Sequence, residues 1–196
     1  MSRNILFISV DTIKERTGLH NNVDEKLINP EILAVQDMYI LPALGTGLYN
    51  RLQDGIENNN LTNNENTLLD TYITPCLVYL AMSELPIGLS YQFYNKGLIR
   101  KTGDGQSEPS AQDIIDVANH YKTRAEFYKQ RLILYLKQNA TSSVFPQYFN
   151  PGAGVDTIQP ELDGYTTTIY MGDDCGCMGK ADLPIYIDPT RKCCNG

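Results

Sequence analysis

Four cysteines near the C-terminal end of the chain have the clearest capacity for chemistry. Cys175 and Cys177 form a C-x-C pair, Cys193 and Cys194 are adjacent, and fifteen residues separate the two pairs. Four thiolates can bind zinc tetrahedrally, but structural zinc sites favour about two to four residues between paired ligands, and vicinal cysteines strain the geometry. The alternatives are free thiols in a reducing cytosol, which the spacing favours, and disulfides formed after release from a cell.

The other reactive side chains do not form an active site in the sequence. His20 lies in a polar loop and His120 lies beside an apolar seam, and neither has a Cys, Ser or carboxylate placed to make it a catalytic base. Segment 101–106, KTGDGQ, lacks the G-x-x-x-x-G-K-[ST] pattern of a phosphate loop. Asp173 and Asp174 are expected to be surface acids. We therefore predict a protein without enzymatic activity and without a cofactor.

Composition and charge narrow the function classes further. Hydrophobic residues make up 42% of the 196 residues, enough for a real core, and the net charge of −7 argues against a free-standing nucleic-acid binder. Basic residues concentrate between positions 120 and 137, whereas residues 140–196 are acidic. These two regions are expected either to pair, within one chain or between copies, or to be solvated separately. No apolar run reaches the roughly 18 residues of a membrane span, and the N-terminus does not predict a secretory signal.

The elements that must position these groups are predicted to be mainly helical. The periodicity favours an antiparallel helical bundle with one long C-terminal helix, preceded by a short strand at 4–10. Asp11 is expected to cap a brief helix that ends at Gly18, and Asn29 followed by Pro30 predicts the start of the next helix.

Segment 37–49, DMYILPALGTGLY, predicts a sharp corner between two helices. Pro42 removes a backbone donor, and Gly45 and Gly47 allow left-handed conformations. A helix around 48–56 is then expected to turn back as the second arm of an αα-hairpin. A third helix over about 66–85 contains Pro75, where a kink is expected, and Cys76, a small core residue. Pro86 either ends this helix or lets it continue, and a short extended piece is expected at 97–101.

The longest predicted helix spans 111–139, with Ser110 and Asp113 forming a capping box. Apolar and aromatic residues recur at alternating steps of four and three, a period that keeps one seam facing a partner helix. The seam consists of Ile114, Ala118, Tyr121, Ala125, Tyr128, Leu132 and Tyr135. Further apolar residues near the C-terminal half, Phe127, Ile133, Leu134 and Leu136, predict a second surface for a neighbouring copy.

The composition changes after Asn139, so we predict two parts, a helical core at 1–139 and an extended arm at 140–196. The arm is rich in proline and glycine and has no helical period. Segments 165–171 and 183–187 are rich in β-branched and aromatic residues and are expected to form a β-hairpin. Thirteen tyrosines and no tryptophan favour protein interfaces.

Three segments carry a family resemblance: PEILAVQDMYILPALGTGLYNRLQ, ITPCLVYLAMSELPIGLSYQFYNKGLIRKTGD and DIIDVANHYKTRAEFYKQRLILYL. Together they resemble the head–tail connector proteins of tailed bacteriophages, closest to the neck ring protein of crAss-like phages and relatives that infect Bacteroidales. The resemblance spans about residues 10–139 and does not extend to the arm.

The resemblance implies a structural virion protein of the neck, assembled in the host cytoplasm. Such connectors form a ring, usually a dodecamer, below the portal protein; the ring extends the DNA channel and offers a platform for the next tail or neck protein. It implies passage of DNA without sequence-specific binding and no membrane partner. The corner at Pro42, Gly45 and Gly47 would then fix the wedge shape of each copy, or serve only the local turn. The alternatives are another neck or tail-completion protein, such as a stopper or terminator, and a zinc-dependent interaction module carried by the arm.

Overall fold

A computed structural model of the chain describes residues 4–95, 97–100, 110–154 and 156–161. The described elements are α1 (Val10–Arg16), α2 (Glu25–Val35), a π-helical segment π1 (Gln36–Ile40), α3 (Leu41–Glu57), α4 (Asn63–Thr67), a second π-helical segment π2 (Leu68–Ile73), α5 (Thr74–Ser90), β1 (Tyr91–Tyr94), β2 (Gly97–Arg100), α6 (Ala111–Asn139) and α7 (Pro146–Phe149). The protein is therefore mainly helical, as predicted.

The N-terminal strand expected at 4–10 is wrong, because α1 already begins at Val10 and the preceding residues form no strand. Ser9, not Asp11, caps this helix by accepting the Thr12 N–H at 3.2 Å. The buried Gln36 side chain takes the place of a strand partner. Its Oε1 accepts the Phe7 N–H at 2.9 Å, and its Nε2 donates to the Ile5 carbonyl at 2.9 Å. The Gln36 side chain thus supplies the hydrogen-bond partners that the backbone groups of Ile5 and Phe7 would otherwise need from a neighbouring strand.

Helix α2 begins at Glu25, so the helix start predicted at Asn29 and Pro30 is also wrong. Asp24 is the cap, and its carboxylate accepts the Lys26 N–H at 3.0 Å. Pro30 lies inside the helix, where it removes the bond to the Lys26 carbonyl, close to the helix start. Ile28 is fully buried, and burial of such a side chain is worth about 1.5–3 kcal/mol, which offsets the loss of that bond.

The predicted bend in segment 37–49 lies at Gly45, where α3 has φ 75° and ψ 157° and is therefore broken. Pro42 lies in the first turn of α3. Of the predicted first arm of the αα-hairpin, α2 packs along α5, whereas its continuation π1 packs against α3, which also contacts α7. After the break at Gly45 the chain turns back, so that the Tyr49 hydroxyl reaches Asp37 of π1.

Helices α4, π2 and α5 form one continuous helical segment from Asn63 to Ser90. A capping box joins Thr62 and Glu65 at its start, and the helix continues through Pro86. The distortion expected at Pro75 takes the form of π2, which ends two residues before that proline. Segment π1 ends two residues before Pro42 in the same way. A π-helical turn shifts the hydrogen-bond register, which accommodates the donor that a following proline lacks.

Helix Asn63–Ser90 is also long and apolar enough to cross a membrane, with a mean hydropathy of 1.3 in its most apolar window, although no such run was predicted. More than half of that window, 56%, is buried inside the protein by α2, α6 and their neighbours. A core helix of a globular domain shows the same combination of high hydropathy and burial.

Strands β1 and β2 form an antiparallel hairpin with Tyr91 opposite Arg100 and Tyr94 opposite Gly97. The second strand matches the extended piece expected at 97–101. Helix α6 follows with the predicted bounds, Ala111–Asn139, and with the predicted capping box between Ser110 and Asp113.

The chain divides into two compact units, Met1–Gly164 and Tyr165–Gly196. The boundary thus differs from the one expected after Asn139, because the first part of the expected arm belongs to the helical unit. Phe145 and Tyr148 are buried in its core. The predicted β-hairpin of 165–171 and 183–187 lies outside the described residues.

Candidate assembly surface

The predicted seam of α6 faces α5 within the same chain. Ile114, Ala125 and Leu132 are buried, and Ala118 and the three tyrosines are partly buried. Tyr135 stacks on Tyr72 with ring centroids 3.9 Å apart. Helix α6 runs antiparallel to the continuous segment Asn63–Ser90, because Tyr72 meets Tyr135 whereas Tyr79, later in that segment, meets the earlier Tyr121.

Cys76 lies in the middle of this interface, as predicted for a core residue. It is fully buried, and its thiol lies 3.8 Å from the Ala125 carbonyl oxygen, to which it donates. Burial raises the pKa of the Cys76 thiol to about 12, against a smaller lowering by Lys129. A protonated thiol in an apolar contact is a packing group and not a nucleophile.

One side of the α5–α6 pair carries an aromatic and cationic surface, here called the tyrosine flank. Tyr79 of α5 lies 6.4 Å from Tyr121 and 5.3 Å from Tyr128, both in near-parallel orientation. Guanidinium groups cover one ring of π2 and one of α5: Arg131 lies 5.0 Å from the Tyr72 centroid, and Arg124 lies 5.9 Å from the Tyr79 centroid. The flank consists of Tyr72, Tyr79, Tyr121, Arg124, Tyr128, Arg131 and Tyr135.

The other side of the same helix pair carries an open groove of about 180 Å³, here called the acidic groove. It is lined by Ser83, Glu84, Ile87, Ile115, Ala118, Asn119 and Lys122. Glu31 of α2 lies beside this end of α5, with its Oε1 3.4 Å from the Cβ position of Gly88. Burial, and to a lesser extent repulsion by Glu84, raise the pKa of the Glu31 carboxyl. Ile87 is 51% exposed and Ile115 is 46% exposed, so the groove combines carboxylates with uncovered apolar surface.

The outer face of α6 also exposes apolar side chains. Phe127 is 63% exposed and Leu134 is 55% exposed. They lie seven residues apart and therefore on one line of the helix, almost opposite Ala125. The predicted second surface is therefore correct for these two residues and wrong for Ile133 and Leu136, which are buried in the core of the same chain.

The corner residues Gly45 and Gly47 bind the chain segment that follows α7. A Cβ at Gly45 would lie 2.8 Å from the Pro160 ring, and one at Gly47 would lie 2.7 Å from the Pro151 Cα. Thr46 is between them, donating its N–H to the Ile158 carbonyl at 3.0 Å and accepting the Ile158 N–H on its Oγ1 at 2.8 Å. The two glycines therefore permit close approach of another segment, a role that the sequence analysis did not assign.

Two further contacts hold residues 150–161 on the helical unit. The Glu161 N–H donates to the Pro42 carbonyl at 2.9 Å, and the Glu161 carboxylate lies 2.9 Å from Lys129 Nζ. Thus Pro42, Gly45 and Gly47 all take part in one docking site, and the basic region of α6 pairs with one acid of the C-terminal region. The separation of basic and acidic regions in the sequence was the signal for the Lys129–Glu161 ion pair. No local sequence signal indicated the docking site at Pro42, Gly45 and Gly47.

A buried polar network beside the corner was also missed by sequence reasoning. The Tyr49 hydroxyl donates to Asp37 at 2.6 Å and accepts from Gln36 Nε2 at 2.9 Å. Burial is the largest cause that raises the pKa of Tyr49, followed by its hydrogen bond to Asp37. Gln36 is fully buried and lies in π1, so the network joins the N-terminal segment, π1 and α3.

Candidate catalytic and metal groups do not converge within the described ranges. His20 accepts the Asn22 N–H at 3.1 Å, and His120 packs edge-on against Tyr121 on an exposed part of α6. No group of three or more His, Cys, Asp or Glu side chains suited to a metal ion is found among those residues. Cys175, Cys177, Cys193, Cys194, Asp173 and Asp174 lie outside them.

Comparison with known proteins places the chain in a family without assigning its activity. No curated protein and no solved structure matches the chain. A family described as a family of unknown function, DUF6712, matches residues 40–158, from the end of π1 to the segment docked at the corner. Because this match includes more than half of the sequence, the chain belongs to the DUF6712 family.

Proposed function

We propose that this protein is a structural component of a phage virion, built as a helical bundle with an arm at its C-terminal end. It assembles as a dodecameric ring below the portal protein, extends the DNA channel and joins head to tail. It acts without enzymatic activity, and the next neck or tail protein binds to the ring. The proposal rests on the sequence resemblance of the three quoted segments and on the surface of α6.

The observation that carries the proposal is the exposure of Phe127 and Leu134 on α6, a helix whose seam residues already pack within the same chain. The seam residues pack on α5 within the chain, so these two side chains are surplus to the core. Burying one such side chain contributes roughly 1.5–3 kcal/mol. A 29-residue helix with apolar residues on both sides suits side-by-side packing of identical copies.

The charge of the chain is consistent with a DNA channel. A net charge of −7 does not favour tight binding to phosphates, so DNA could slide past without being held. Contact with DNA in this role is independent of base sequence, and the site of action is the neck of the virion.

Native mass spectrometry of the purified protein, alone and mixed with the portal protein of the same genome, tests the proposal. We expect a twelve-fold species, formed at least in the presence of the portal. Phe127→Ser with Leu134→Ser should reduce that species strongly. Met38→Ser is a matched control, because Met38 is also 63% exposed but lies on π1. A protein that stays monomeric with the portal would overturn the proposal.

The same samples separate the two alternatives. Binding of a ring to a tail component but not to the portal would indicate a stopper or terminator farther down the neck. A monomer that retains one zinc ion per chain, and loses it on Cys193→Ser, would indicate the zinc-dependent interaction module instead.

A further inference from the structure

The tyrosine flank and the acidic groove lie on opposite sides of one helix pair. Lys122 of the groove and Arg131 of the flank are nine positions apart on α6 and therefore point in about opposite directions. Tyr121 contacts Tyr79 on one side of the seam, whereas Lys122 lines the groove with Ile115 and Glu84 on the other. Each copy thus presents two different surfaces in opposite directions, which is the arrangement that head-to-tail assembly requires.

The two surfaces are complementary in charge. The flank offers two guanidinium groups, those of Arg124 and Arg131, and both side chains are exposed. The groove offers Glu84, and Glu31 lies beside it on α2, with its Oε1 3.4 Å from the Cβ position of Gly88. The two carboxylates lie close enough to repel each other, against the single ammonium group of Lys122. Neither carboxylate has a hydrogen bond or ion pair to any part of the chain that the structure describes. A guanidinium group between two such carboxylates would remove the repulsion and form charge-assisted hydrogen bonds.

The two surfaces also match in composition. Tyrosine and arginine are the residues most enriched at the energetic centres of protein interfaces. The groove supplies exposed aliphatic surface from Ile87 and Ile115, against which aromatic rings can pack. Nucleic acid is a poorer occupant of the flank, because Tyr72 and Tyr135 already stack on each other at 3.9 Å and Arg131 covers the Tyr72 ring. Bases stack on open aromatic faces.

From these observations we propose that the tyrosine flank of one copy binds the acidic groove of the next copy, with Arg124 and Arg131 facing Glu31 and Glu84. This inference rests on the proposed ring and names the contact between neighbouring copies. Phe127 precedes Arg131 by four residues and Leu134 follows it by three, so both adjoin the flank on α6. The contact is heterologous, so every copy uses both surfaces, and the chain of contacts ends only when the ring closes.

Charge reversal tests the interface. A flank variant carries Arg124→Glu and Arg131→Glu, and a groove variant carries Glu31→Arg and Glu84→Arg. Each variant alone should show at least a tenfold loss of the oligomer in native mass spectrometry, with portal protein present. An equimolar mixture of the two should restore it, because reversed flank meets reversed groove and the native pair meets in the alternate contact.

Arg16→Glu with Lys26→Glu is the matched control, since it changes the net charge as much as the flank variant does. Both residues are exposed and lie on α1 and α2. This control should assemble like the unmodified protein, and circular dichroism melting confirms that each variant folds.

The outcomes separate this inference from the proposed function. Rings formed normally by the flank or groove variant would overturn the interface and leave the connector proposal standing. If both variants fold but their equimolar mixture does not restore the oligomer, the pairing of flank with groove is wrong. If the flank variant assembles normally but loses affinity for DNA, the flank binds nucleic acid and not a second copy of the chain. Unmodified protein that stays monomeric with the portal would overturn both proposals.

Discussion

Gly47 and Pro151 lie so close together that a Cβ on Gly47 would be 2.7 Å from the Pro151 Cα. The same Cβ would lie 2.8 Å from the Gln147 carbonyl oxygen. The segment that follows α7 therefore packs its backbone directly on α3. A bend in one part of the sequence and a proline more than one hundred residues later form one contact, because only glycine leaves room for it.

Gly47→Ala should destabilise the protein by about 1–3 kcal/mol, since backbone atoms on both sides of the new methyl group must move. Urea unfolding followed by circular dichroism measures the loss. Gly18→Ala is the matched control, because nothing lies within 4 Å of its Cβ position. Equal midpoints for the two variants would contradict the close packing of Pro151.

Gly45→Ala should cost more than Gly152→Ala, although both glycines have a positive φ, 75° and 107°. Each substitution brings backbone strain of about 1–3 kcal/mol, but only Gly45 also faces an atom, the Pro160 ring at 2.8 Å from its Cβ position. The difference in unfolding free energy between the two variants isolates the contact with Pro160. A larger cost at Gly152 would show that the segment is not docked at the corner.

Tyr49→Phe and Tyr148→Phe should have opposite consequences. The Tyr49 hydroxyl makes two hydrogen bonds, to Asp37 and Gln36, so its removal should cost about 1–3 kcal/mol by leaving buried polar groups unpaired. The buried Tyr148 hydroxyl has no hydrogen-bond partner among the described residues, so its removal should be neutral or stabilising. Thermal melts of the two variants compare them directly, and a large loss at Tyr148 would disprove this account.

Cys76 should make stability fall in alkaline solution. Its pKa is raised by burial from an ordinary value of 9.0 to about 12, so between these pH values the folded state binds the proton that the unfolded state has lost. The stabilising contribution is complete below pH 9 and is lost as the pH rises toward 12, at roughly 1.4 kcal/mol per pH unit.

Cys76→Ala removes this titration and is the comparison that isolates it, because Tyr49 and Tyr148 also have raised pKa values. The unfolding free energy of the unmodified protein should fall more steeply with pH than that of the variant between pH 9 and 11. Parallel pH profiles would indicate that the Cys76 thiol is open to solvent.

Local sequence signals predicted α6 correctly at both ends. Ser110 and Asp113 form the cap with their own neighbours, and the seam repeats at helical spacing, so no distant residue is needed to fix the helix. The bend at Gly45 was predicted for the same reason. In contrast, Asp11 and Asn29 carry cap signals as strong as those of Ser9 and Asp24, and burial of Val10 and Ile28 decided between them.

The sequence by itself determined a mainly helical chain, the bounds of its longest helix, the core position of Cys76 and the break at Gly45. Only the tertiary structure decided that Gln36 replaces an N-terminal strand, that α2 packs along α5, and that residues 150–161 dock on Gly45 and Gly47. The physical reason is the range of the contacts. A helix cap joins residues two or three positions apart, and a seam repeats every three or four residues, so both can be read from a short stretch of sequence. The bond between Thr46 and Ile158 spans 112 positions and leaves no mark on the residues around either end.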